Sequence, residues 1–118
     1  MKRSMPDVEL AAQFAALAET YDENGGRVAN SALNKLQAVR KVISASQDHG
    51  LAILERLLSH RNAMVRYFAA KDLLPLAEDK AMNELLSLAG QCLGGATSNA
   101  KLSIQRWRKE GWFKESPK

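Results

Sequence analysis

Two histidines, one cysteine and an adjacent pair of acids are the side chains in this chain whose types suit acid–base, nucleophilic or metal-ligating chemistry: His49, His60, Cys92, and Glu78 with Asp79. Their spacing does not assemble any of these. His49 and His60 stand 11 residues apart on two different predicted turns, and neither has a metal-ligand spacing to Cys92. Cys92 has no neighbouring base, and a reactive thiol needs nearby positive charge or a helix start to lower its pKa. Glu78 and Asp79 are consecutive helical residues, so they point about 100° apart rather than at one proton. The glycine pairs Gly25-Gly26 and Gly94-Gly95 lack the flanking strand and lysine of a phosphate loop. No catalytic residue, metal site or cofactor is therefore expected, and the chain reads as non-enzymatic.

The remaining chemistry is that of exposed cations. Lys101, Arg106, Arg108, Lys109 and Lys114 gather around Trp107 and Trp112, an interleaving that can neutralise phosphates and stack on bases. Trp107 also shares a helical face with Ala100 and Ile104, which suits a core position equally well. Further up the chain Arg61, Arg66 and Lys71 could grip the carboxylates of an acidic protein, the arginines in bidentate fashion. Arg61, Arg66, Lys71, Arg106 and Trp112 are the expected partner-binding residues.

These side chains need helices to position them, and the hydrophobic spacing supplies about six in three antiparallel pairs, in one domain over residues 1–118. The first pair spans 6–48. Asp7 is its expected N-cap, the stripe Leu10, Phe14, Leu17 and Tyr21 marks its first helix, and Asn24, Gly25 and Gly26 stop that helix near Asp22. A second helix, about 28–46, carries Leu33, Leu36, either Val39 or Arg40, and Ile43 inward, with Arg27, Lys35, Arg40 and Lys41 as a basic edge. The central hairpin spans 51–76. Its first half uses Leu51, Leu54, Leu57 and Leu58. Asn62 caps its second half, where Val65, Phe68, Ala69 and either Asp72 or Leu73 with Leu76 share a face. Pro75 ends that helix because it lacks the N–H that would bond residue 71. The last pair spans 79–113, with Ala81 or Met82, Leu85, Leu86 and Leu88 buried, a flexible connection over 91–96, and Thr97 or Ser98 capping the final helix. Residues 114–118 form a tail.

The order Leu54, Leu57, Leu58, His60, Asn62, Val65, Arg66, Ala69, Ala70, Leu73 resembles one HEAT repeat: leucines, a polar turn, Val-Arg, paired alanines and leucine. The resemblance implies an all-α, HEAT/armadillo-like right-handed superhelical stack in which each hairpin buries its apolar face against its neighbours. A compact non-repetitive bundle is the structural alternative. In the repeat family an Asp stands near the turn. Here His60 and Asn62 occupy that region, so the usual carboxylate partner of the Val-Arg arginine is missing. Residues 81–113, through Ala100, Leu102, Trp107, Gly111 and Phe113, are similar to small bacterial HEAT-like proteins of unknown function. The stack would put Arg61, Arg66 and Lys71 on a concave inner wall. What the resemblance implies is a protein-binding module, and in its narrower form an immunity protein that blocks a toxin. The alternative is a nucleic-acid-binding helical protein using the basic C-terminal helix.

Composition agrees with an ordered helical domain: 46% of residues are hydrophobic, with three prolines and seven glycines. A single cysteine excludes an internal disulfide and favours a reducing, cytoplasmic location. No apolar run reaches the ~20 residues needed to span a bilayer, and the start of the chain lacks the apolar segment of a signal peptide. The net charge of +4 divides unevenly. Residues 1–26 hold two basic and five acidic side chains, the rest 15 and eight. Such an asymmetry steers an acidic partner toward the basic portion.

Overall fold

A computed structural model of the chain describes residues 6–110, and every described element is a helix: α1 (Asp7–Glu23), α2 (Gly26–Ser44), α3 (Leu51–Leu57), α4 (Ala63–Leu73), α5 (Glu78–Ala89) and α6 (Gly95–Glu110). The all-α expectation is met. Consecutive helices pair as α1 with α2, α3 with α4, and α5 with α6, and α4 also packs against α1, α5 and α6. Its central place is written in its residues. Met64, Val65, Tyr67, Phe68, Ala69, Ala70 and Leu73 are all buried, so no single stripe describes it. Ala69 and Ala70 have no exposed surface, and their small side chains let neighbouring helices approach closely.

The ends of α4 form for reasons already legible in the residues. Asn62 is the N-cap, its side-chain oxygen accepting from the Met64 and Val65 N–H groups at 2.8 and 3.1 Å. The Asn62 N–H in turn donates to His60 Nδ1 at 3.0 Å. At the other end the helix stops at Leu73, two residues before Pro75, and the Leu76 and Ala77 N–H groups close back on the Leu73 carbonyl.

Other boundaries differ from expectation. Pro6, not Asp7, takes the extended cap position of α1, and Asp7 becomes a first-turn acid near the free N–H groups. α2 begins and ends two residues earlier than read, because the turn after Ser44 is built by side chains. The Asp48 carboxylate accepts from the Gly50 and Ala52 N–H groups at 2.9 and 3.1 Å, while His49 and Gly50 adopt left-handed backbone at φ 58° and 86°. Gly50 is required there. A Cβ on it would lie 2.2 Å from Ile43 Cγ2. Leu86 is exposed rather than buried, since α5 buries Ala81, Leu85 and Leu88 and Leu86 lies a helical step off that face. Thr97 is not a cap but an internal residue of α6. Its hydroxyl lies 2.9 Å from the Leu88 carbonyl and 3.0 Å from that of Gln91, and it accepts from the Leu93 N–H at 2.9 Å. These bonds pin the α5–α6 connection that the glycines suggested would be loose. Cys92 within it is exposed.

Candidate functional site

The C-terminal half of α4 faces α2 across a pair of charges 32 residues apart. Arg40 forks onto Asp72, with Nε 2.8 Å from Oδ2 and Nη2 2.5 Å from Oδ1, and its remaining Nη1 donates to Gln37 Oε1. The guanidinium also sits 5.3 Å from the centre of the Phe68 ring. Burial alone would lower the Arg40 pKa, but the hydrogen bond and charge of Asp72 overcome it and hold the pKa above its usual value. Arg40 thus takes the inward place that was its alternative with Val39, and leaves the outer basic edge to Arg27, Lys35 and Lys41. The signal was present: Leu36, Arg40 and Ile43 follow the spacing of one helix face.

Beside this pair stands Lys71. It is half-buried, and its ammonium has no hydrogen-bond or ion-pair partner among the described residues. Its pKa is pushed below the usual lysine value by burial first, then by Arg40, with Asp72 opposing and Arg106 on α6 adding to the fall. Lys71 opens onto a cleft of about 690 Å³ between the end of α2, the Asp48 turn and the end of α4. The apolar lining comes from Ile43, Leu54, Pro75 and Leu76, and Lys41 and His49 stand on the polar side.

The expected binding residues do not form one patch. Arg66, expected on an inner wall beside Lys71, turns instead to α5. Its Nε lies 3.2 Å from Glu84 Oε2, and its Nη1 donates to the His60 and Arg61 carbonyls at 2.7 and 3.1 Å. Glu84 therefore supplies, from the next helix, the carboxylate that the turn lacks. Five residues along a helix is about 140° around its axis, which is why Arg66 and Lys71 diverge. Arg66 takes no part in lining the cleft. Arg61 is exposed at the α3–α4 turn. Arg106 is exposed on α6 and is the one other expected residue whose charge reaches Lys71. Trp112 lies outside the described residues, as do Gly111, Phe113 and Lys114. Trp107 is core, only 3% exposed, with its indole N–H donating to Glu78 Oε2 at 2.6 Å. Its ring is not available to stack on a base. Lys101, Arg108 and Lys109 are exposed on α6.

His49, His60 and Cys92 fall on three different connections, and among the described residues no three His, Cys, Asp or Glu side chains gather where a metal ion could sit. Among the same residues no helix is long and apolar enough to cross a membrane. No protein-family model matches the chain, and comparison with the curated proteins and with the solved structures gives no match either.

Proposed function

We propose that the chain is a non-enzymatic, HEAT-like helical binding module that docks an acidic protein partner against the cationic seam of α2, α4 and α6. One observation carries the reading. Lys71 is a half-buried ammonium without a partner among the described residues, at the edge of a cleft and beside two arginines whose charge disfavours its own. A fold gains nothing from such a group, whereas an incoming carboxylate would relieve it. The binding residues on this reading are Lys71 and Arg106, with Arg40 holding the seam. Arg66 acts within the fold, and Arg61 stands apart at the α3–α4 turn. Three successive helical hairpins and the hairpin motif of residues 54–73 support the HEAT-like form. The narrower form, a toxin as the partner, draws support from the resemblance alone, and a toxin gene beside this one would strengthen it.

Affinity capture from the source cell tests the proposal. The unaltered chain should retain an acidic protein that the Lys71→Met/Arg106→Gln double variant loses. A control altered at Arg108 and Lys109, on the exposed side of α6, should keep it. Equal capture by the double variant would show the wrong surface was chosen. The nucleic-acid alternative keeps its basic helix but not its stacking ring, because Trp107 is buried. It predicts duplex or single-stranded binding that weakens steeply with salt.

A further inference from the structure

The acidic-partner reading leaves open what part of a partner the cleft would hold, and the composition of the cleft answers that more narrowly. Its cationic side offers one unneutralised buried-edge charge, since both oxygens of Asp72 and the fork of Arg40 are already engaged with each other. Phosphate recognition draws on several convergent donors, and a nucleic-acid backbone needs a row of cations following it. In this cleft Arg40 is spent on Asp72 and Gln37, and Lys41 and His49 stand exposed at the rim, so Lys71 is the half-buried cation that remains open to a ligand. A single ammonium is a compact point charge suited to one carboxylate. The opposite side is hydrocarbon: Ile43 and Leu54 form the base, and Pro75 and Leu76 are exposed at the mouth. Leu76 is 38% exposed, an apolar side chain held outside the core at the point where α4 has just ended. The volume of about 690 Å³ accommodates a few side chains of a peptide, and Lys41 at the rim could meet a second acid.

Building on that reading, we infer that the cleft between α2 and α4 receives an acidic–apolar peptide segment of the partner, one carboxylate on Lys71 and an adjacent apolar side chain against Ile43, Leu54 and Leu76. The carboxylate supplies the direct ion-pair partner that Lys71 lacks among the described residues. The apolar neighbour covers hydrocarbon now in contact with water and fixes the register of the segment. Charge alone would give attraction without register; the two surfaces together select acids flanked by leucine-like residues over acids flanked by polar ones.

Three capped octapeptides, titrated into the full chain and followed by the methyl NMR signals of Ile43 and Leu54, test this: alternating Glu-Leu, alternating Glu-Ser of the same charge, and alternating Lys-Leu. The Glu-Leu peptide should bind at least tenfold more tightly than the Glu-Ser peptide and shift both methyl signals. Lys-Leu should not bind. Lys71→Met should weaken Glu-Leu binding at least tenfold, and so should Leu76→Ser, a change at an exposed position that leaves the core intact. Equal affinity for Glu-Leu and Glu-Ser would overturn the inference while leaving a cationic docking surface. Failure of both acidic peptides would overturn the docking surface as well. Concentration-dependent shifts of the same methyl signals without peptide would make a second copy of the chain the occupant and overturn the inference.

Discussion

The two ends of α4 carry similar cations and put them to opposite uses. At the N-terminal end Arg66 is engaged through Nε and Nη1: a carboxylate from α5 and two turn carbonyls accept from them, and the result ties the α3–α4 turn to the next hairpin. At the C-terminal end Asp72 is taken by Arg40 from α2, and Lys71 is left with no partner among the described residues, beside an open cleft. A charge that a fold needs is neutralised within it. One that remains unneutralised, half-buried and flanked by like charges is better explained by something the fold does not contain.

The largest way to break this contrast is to remove the turn that shapes the cleft. Gly50→Ala forces a side chain into left-handed backbone and into Ile43, which lines the cleft. Backbone strain and overpacking together should cost about 2–4 kcal/mol, read as a lower urea midpoint. Next comes Arg66→Ala, which leaves Glu84 and two carbonyls without their donor in a partly buried setting. It should cost about 1.5–3 kcal/mol, and a double-mutant cycle with Glu84→Gln should reveal coupling, because the pair shares one bond. No coupling would mean that Arg66 is as idle as Lys71.

A smaller effect sharpens the contrast through pH. The bonds from the Ala52 and then the Gly50 N–H hold the Asp48 carboxyl below its usual 3.8. A lowered carboxylate contributes stability that is complete above the unfolded value and is lost as pH falls through the folded one. The drop in melting temperature between about pH 6 and about pH 3 should therefore be smaller in Asp48→Asn than in the unaltered chain. An equal drop would remove Asp48 from the turn's energetics.

What the residues announced in advance was local. Asn62 as a cap, Pro75 as a stop and the burial of Ala100, Ile104 and Trp107 each depend on neighbours within a turn or two. What they concealed was long-range. Arg40 finds Asp72 across 32 residues, and Arg66 finds Glu84 across 18, so neither pairing has a sequence signature. Thr97, one of the two candidate caps with Ser98, is another such case: only the fold brings its hydroxyl beneath the end of α5. The contrast between Arg66 and Lys71 was hidden too, because two cations in one hairpin look alike until their neighbours are known.

Lys71→Met gives the smallest expected change in stability and the most decisive one. The substitution keeps the apolar stem and removes the charge. Because the Lys71 pKa is lowered in the folded chain, the unfolded chain holds that proton more tightly, so the charge opposes folding at neutral pH. The measurement is the urea-unfolding free energy of the unaltered chain and of Lys71→Met at neutral pH. If the charge is reserved for a ligand, the variant will be as stable as the unaltered chain or more so; a loss beyond about 1 kcal/mol would mean that Lys71 is needed by the fold.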